Sequence, residues 1–435
     1  SFVRGASRLA AAAAPAPRRR PCALGRAMIS LSMTPCYRGV AKWLPQRMRP
    51  QRRSTSEDRL GVVSGKAWAT TSPASRISDI DTVDTLPEFP CVSSSSTTSA
   101  GDTDAAEEHE IEQRMADAAS HVLPWRLQDW EVVEQLQEAP RNQGCVVLAK
   151  SLQHGGVFAA VKQMPNTWVA ASHAEFARQH PESAERPWFD VGVVNYLHDR
   201  GFEHVCRPLG VFRDTFSTYV VSSYATQGDL FSWLPREPEQ GDRESGILRP
   251  LMQQLFEAVR RLHDLGIAHN DLSLENVLVT QEDPLDAPSI KLVDFGMASL
   301  ARRDRGFSGK RSYIAPEQHE EGACDRFLSD AFAAGVCLFT LATRSYPWDS
   351  TRPGACKRFQ FITKHGLRAY IARKRIRSSS DVRLAQVLSF DLVDMLDALL
   401  APQPQARACM GEQCFKDDIV SGVRRSALSM PWLSA

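Results

Sequence analysis

The regular alternation of apolar and polar positions begins at about Trp125. "WEVVEQL", "CVVLAK" and "VFAAVKQM" are β-type runs, separated by "QEAPRNQG" and "SLQHGG", which carry the Pro, Asn and Gly of turns. They predict an antiparallel meander. After Gly246 the period lengthens. Leu248, Leu251, Met252, Leu255, Val259 and Leu262 recur at helical spacing, and Gly266 is placed to stop that helix. Two strand-like pieces follow, at 277–279 and 290–293, and then the helical runs "LSDAFAAGVCLFTLA" and "FDLVDMLDALL". A β-rich first half followed by a helical second half is an α+β pattern.

Upstream the texture differs. Residues 54–105 are rich in Ser and Thr and poor in large apolar groups, most clearly in "CVSSSSTTSAGDTD". Such a segment buries too little surface to offset its ordering entropy, so a disordered linker is expected there.

Charge sharpens the division. The 435 residues carry a net charge of +1, yet residues 1–56 hold twelve Lys or Arg and no acid, leaving 40 basic against 51 acidic residues in the rest. The acidic globular part gives no reason to expect nucleic-acid binding. The Ala- and Arg-rich start suits either an organelle transit peptide or a disordered basic tail. The expected location is therefore intracellular: cytoplasmic, or mitochondrial or plastid if the start is a transit peptide. No apolar run is long enough to span a membrane. The ten cysteines include no C-x-x-C pair, which fits a reducing interior better than a zinc site or a disulfide framework.

The candidate chemistry lies in short stretches taken in order. Gly144-Cys145-Val146 ends a turn between two strand-like runs, and "AVK", Ala160 to Lys162, lies near the end of the third run. "TYVVSSYATQGDLFSWL" follows, then "IAHNDLSLENVLV", where Asn276 stands five residues after Asp271. "LVDFGMA" places Asp294-Phe295-Gly296 behind a strand-like run, 23 residues after Asp271. "GKRSYIAPE", "LSDAFAAGV" and "APQPQAR" complete the series. Each alone is weak. A lone strand Lys, for example, is usually a solvated one, and it is their order that is specific.

In that order the stretches resemble the eukaryotic-type protein kinase superfamily, as a divergent Ser/Thr protein kinase, from about Trp125 to about Val420. The resemblance implies a bilobal α+β fold with a small antiparallel β-rich N-lobe and a larger, mainly helical C-lobe. The implied divisions are a basic extension at 1–56, a Ser/Thr-rich then acidic linker at 57–122, a kinase domain at 123–421 and a tail at 422–435. Within the domain the N-lobe spans about 123–222 and the C-lobe about 226–421. The tail's apolar residues either dock on the C-lobe or stay free.

The resemblance also implies roles. Lys162 would hold the α- and β-phosphates of ATP, while Gly144, Val146, Ala160 and Leu278 would border the nucleotide. Ser222 would be the gatekeeper, small enough for a roomy back pocket, with Ser223 to Ala225 forming the adenine-binding hinge. Asp271 would orient the acceptor hydroxyl and accept its proton. Asn276 and Asp294 would bind Mg²⁺, or Mn²⁺ in its place. Asp190 would pair with Lys162, with Glu182 and Glu185 as alternatives. Structural support would come from His269, from Phe295 and Gly296, from Asp330 bracing the catalytic loop, and from an ion pair between Glu317 and Arg407.

Several departures accompany the match. Ala139 and Arg141 occupy the first two glycine slots of the phosphate loop, predicting a stiffer loop that covers the phosphates less closely. Asp190 is one methylene shorter than the family's Glu. Asn270 replaces the Arg that pairs with a phosphorylated activation loop in many relatives, favouring a constitutively competent loop. Ser273 replaces the Lys that helps neutralise the γ-phosphate, and Lys310-Arg311 stand where Thr-Pro is usual. The cluster of Arg302, Arg303, Arg305, Lys310 and Arg311 either favours acidic substrates or is simply solvated. The implied activity is transfer of the γ-phosphate of ATP to Ser or Thr of protein substrates. A pseudokinase scaffold that binds nucleotide, and a small-molecule phosphotransferase of the aminoglycoside or choline kinase type, remain as alternatives.

Overall fold

Six strands form one sheet in the order β1-β5-β6-β4-β3-β2. They are β1 (Leu123–Pro124), β2 (Trp130–Ala139), β3 (Gly144–Ser151), β4 (Phe158–Pro165), β5 (Pro208–Arg213) and β6 (Ser217–Ser223). Only the short β1 pairs in parallel, with β5. The computed structural model describes residues 100–434 apart from 154, 234–243, 284, 307 and 377–380. The basic extension and the Ser/Thr-rich start of the linker therefore lie outside the described residues.

The period of two in β3, β4 and β6 sorts side chains between the two faces of the sheet. Ala149, Ala159, Val161, Tyr219 and Val221 share one buried cluster, against which Trp125 and Trp130 pack. Trp125 stacks on Tyr219 at 4.1 Å between ring centroids and on Trp130 at 5.3 Å. The alternate positions, Val146, Ala160, Lys162 and Ser222, are left for the other face. Register joins them: Val146 pairs with Lys162, and Ala160 with Ser222. Gly144 is needed where β3 meets β4, since a Cβ there would lie 1.9 Å from the Gln163 carbonyl oxygen.

The acidic stretch assigned to a linker is in part a helix, which corrects that expectation. Helix α1 (Ala100–Ser120) buries Ile111 and Met115, the two apolar residues one turn apart on an otherwise polar surface. It runs beside α2 (Pro187–Asp199), with ion pairs from Arg114 to Asp199 at 3.0 Å and from Arg200 to Glu110 at 2.8 Å.

The second lobe is helical. In α3 (Arg249–Asp264), Leu251, Met252, Leu255, Val259 and Leu262 are buried, as their spacing predicts. Gly266 adopts φ +71° and Ile267 donates its N–H to the Leu262 carbonyl, closing the helix with a left-handed cap. Helix α4 (Arg326–Thr343) is buried almost throughout. By length and composition alone it could cross a membrane, which corrects the expectation that no run is long enough, but its apolar surface is covered by this lobe. Helix α5 (Phe390–Leu399) packs against it, and the tail docks as well, with Trp432 fully buried and its indole N–H 3.3 Å from Glu244. Between α3 and α4 lies the hairpin of β7 (Val277–Thr280) and β8 (Ser289–Leu292).

Candidate active site

The loop from Ile267 to Asn276 is fixed from below by a buried acid. Asp330 of α4 accepts the backbone N–H groups of His269 at 2.7 Å and Asn270 at 2.9 Å. A third donor, His263 of α3, reaches Asp330 through Nε2 at 3.1 Å and Glu412 through Nδ1 at 2.6 Å. Burial opposes charge on this imidazole, but the two carboxylates outweigh it and raise His263 to about 9. Neither His263 nor Glu412 stood out in the sequence, because they are 149 residues apart and belong to no local pattern. The His269 ring is fully buried against Phe295, at 4.9 Å between centroids, a supporting position.

Asn270 sits at φ +64°. That left-handed conformation is tolerated by Asn better than by most side chains, since its short amide can bond locally. Its Nδ2 donates to the Met297 carbonyl at 3.1 Å, tying the catalytic loop to the segment after Asp294. Asn276 in turn donates Nδ2 to the Asp271 carbonyl at 2.8 Å. Its amide oxygen is thereby turned away from Asp271.

Lys162 enters from β4 and meets two acids. Its Nζ lies 3.1 Å from Asp190 and 3.0 Å from Asp294. The short Asp190 side chain therefore reaches Lys162 directly. It also accepts the Phe295 N–H at 2.8 Å, so one carboxylate on α2 locks both the lysine and the Asp294-Phe295 turn. Phe295 is fully buried. Burial disfavours charge on Lys162, but Asp294 and Asp190 raise it above the ordinary lysine range. Burial likewise opposes ionisation of Asp294, yet Lys162 holds it down to about 2. Glu182 takes no part. Glu185 does: burial and the Asp294 charge push it up to about 7, and a Cβ on Gly296 would stand 3.0 Å from its Oε1.

The phosphate-loop expectation needs amending. Residues Pro140–Asn142 form a single 3₁₀ turn that reaches down to the catalytic loop. Arg141 places Nη1 2.8 Å from Asp271 Oδ2, and Asn142 donates to Glu185 Oε1 at 3.1 Å. The two side chains tie the loop to the floor of the site. Ser222 is half-buried at the inner end of β6, and Ser223 bonds Arg207 across to the start of β5. Beyond Ala225, the Asp229–Leu278 bridge fastens the hinge exit to β7.

The activation segment is anchored by Glu317, held by Arg407 at 2.6 and 2.8 Å, with Arg407 wholly buried. Of the basic cluster, Arg302 is engaged by Asp325 at 2.8 Å and Lys310 by the catalytic loop, so the five cations do not make one free patch.

The donors suit a hard divalent cation. Asp294 offers a carboxylate and Asn276 an amide carbonyl, and Mg²⁺ sites built on one or two protein oxygens are completed by phosphate and water. Among the described residues no group of three or more His, Cys, Asp or Glu could hold a metal by itself.

Comparison with known proteins identifies the family. The protein kinase domain profile matches residues 152–418, more than half of the chain. A CBL-interacting protein kinase 21 of Oryza sativa subsp. japonica is 31% identical over 195 residues, covering 43% of this chain and 32% of its own. The serine/threonine-protein kinase grp of Drosophila melanogaster is 31% identical, with 40% and 32% covered. The serine/threonine-protein kinase SAPK3 of Oryza sativa subsp. indica is 32% identical, with 51% and 64% covered. The matches thus span between about a third and two thirds of these relatives' lengths.

Proposed function

We propose that this chain, which belongs to the protein kinase family, transfers the γ-phosphate of ATP to Ser and Thr hydroxyls of protein substrates. The observation that carries the proposal is the convergence of Lys162, Asp294, Asn276 and Asp271 at one end of the cleft, each held by a second group. Lys162 is fixed by Asp190 and Asp294, Asn276 by the Asp271 carbonyl, and the Asp271 backbone lies beside the two N–H groups that Asp330 holds.

Lys162 presents a charged ammonium on a rigid strand for the phosphates next to the leaving group. Asp294 and Asn276 would hold Mg²⁺, which supplies charge neutralisation on the phosphate oxygens. Asp271 orients the acceptor hydroxyl and takes up its proton as transfer proceeds; its Oδ1 is buried and has no hydrogen-bond partner in the fold. Asn270 already ties the catalytic loop to the Met297 carbonyl without a phosphate, which supports a loop that works without phosphorylation of its own segment. Two of the relatives are serine/threonine-protein kinases, which supports Ser/Thr acceptors.

The test is transfer of labelled γ-phosphate from ATP·Mg²⁺ to generic protein substrates by the full chain, beside Asp271→Asn. Label on Ser or Thr that the variant loses supports the reading. Nucleotide binding with no transfer to any protein returns the chain to the scaffold alternative, which the Arg141 contact on Asp271 favours.

A further inference from the structure

Phosphoryl transfer places charge on the equatorial oxygens of the transferring group at one end as well as on the leaving group at the other, and both ends gain from a fixed cation. Lys162 serves one end only, locked between Asp190 and Asp294. At the other end the catalytic loop offers Ser273, a neutral and fully buried side chain. The charge there comes from a different part of the chain. Lys310 of the activation segment places its Nζ 2.6 Å from Ser273 Oγ, 3.3 Å from Glu275 Oε2 and 3.4 Å from Asn276 Oδ1.

The backbone that carries Lys310 is itself fitted to the loop. Gly309 has φ +94°, and a Cβ on it would stand 2.8 Å from the Asn270 carbonyl oxygen and 3.2 Å from Asp271 Oδ1. No other residue type enters that contact without moving the catalytic aspartate or its neighbour. Lys310 therefore starts from a pinned point, yet its side chain keeps 30% of its surface exposed. Glu275 is its one acidic partner among the described residues, itself 34% exposed, so that pair is a weak hold. The second cation nearby, Arg141, sits on Asp271 Oδ2, where the acceptor hydroxyl must come.

We infer that Lys310 is a catalytic residue that contacts the transferring phosphoryl group, with Ser273 as the neutral partner that aims it. The lysine missing from the catalytic loop and the hydroxyl missing from the activation segment have exchanged places, keeping the charge at the site. The inference rests on the kinase reading of this same site.

Three variants of the full chain test it: Lys310→Ala, Glu275→Gln/Lys310→Ala, and the exchange Ser273→Lys/Lys310→Thr. Transfer is measured for each. So is the binding of ADP·Mg²⁺ with and without aluminium fluoride, which mimics the transferring phosphoryl, and so is the melting temperature. Lys310→Ala should lose roughly a hundredfold in kcat, the loss expected for one preorganised charge donor. It should bind the fluoride complex roughly tenfold or more weakly, with ADP·Mg²⁺ alone and the melting temperature unchanged. The exchange should restore most of both. Equal binding of the fluoride complex by wild type and Lys310→Ala overturns the inference. So does recovery in Glu275→Gln/Lys310→Ala, which would make Lys310 only the counterion of Glu275. Failure of the kinase reading looks different: no transfer by any form, with fluoride binding that still depends on Lys310.

Discussion

Replacing His263 by Leu removes the middle of a buried chain of three charges. The imidazole is fully buried, Asp330 is 2% exposed and Glu412 1%, and Phe327 stacks on the ring at 4.1 Å. Two routes give the magnitude. Breaking a buried pair by deleting one partner costs about 3–5 kcal/mol, because the remaining charge is left without compensation. Independently, a histidine raised from 6.5 to about 9 contributes about 3 kcal/mol through linkage. The sign follows from the raised value. The contribution is fully present below pH 6.5 and is lost as pH rises through 9. Thermal unfolding of wild type and His263→Leu at pH 7 and at pH 10 measures it. Near pH 7 the gap should be about 3–4 kcal/mol, or roughly 6–8 °C at about 2 °C per kcal/mol for a domain of this size. At pH 10 it should shrink towards the ~1 kcal/mol of one neutral hydrogen bond. A gap that stays constant from pH 7 to pH 10 would refute a charged His263, and one under about 1 kcal/mol at pH 7 would refute the triad as a brace.

Two shorter predictions concern the mouth of the site. Arg141→Ala removes the cation that competes with the acceptor hydroxyl for Asp271 Oδ2; with the arginine 42% exposed the pair is worth about 1 kcal/mol, so kcat/KM for a peptide should rise roughly fivefold. A fall in kcat instead would place Arg141 on the phosphates. Ser222→Phe should weaken bulky ATP-competitive inhibitors by about 1–3 kcal/mol, roughly 5- to 150-fold, with the KM for ATP little changed. Unchanged inhibitor binding would make Ser222 an ordinary strand-end residue.

The residues legible in the sequence are those whose chemistry needs a fixed type at a fixed local spacing. Asp271 and Asn276 lie five residues apart because the amide of one must hold the backbone of the other, and the structure shows that bond at 2.8 Å. The strands were legible through their period of two, and α3 through Leu251, Met252, Leu255, Val259 and Leu262. Helix α1 was not, because Ile111 and Met115 are its only large apolar contacts and a run of acids and alanines surrounds them. A helix with so few large apolar residues leaves almost no periodic signal.

What stayed hidden in the site is a set of side chains acting across sequence distance. Arg141 reaches Asp271 across 130 residues, Lys310 reaches Ser273 across 37, and Glu412 reaches His263 across 149. The first two had visible counterparts as local departures: an arginine in a glycine slot, a serine in a lysine slot, a lysine in a threonine slot; the third had none. Counted one at a time, such departures suggest a decaying site. Joined by their contacts, they describe a redistribution of charge. The ammonium absent at Ser273 returns from Lys310, and the amide of Asn270 ties the loop to Met297 where its neighbours would use an arginine and a phosphate. Lys162 is locked, Asp330 satisfied and Gly309 fitted against Asp271 at the same time. That joint order supports the proposal of a rewired phosphotransferase over that of a scaffold with the same missing letters.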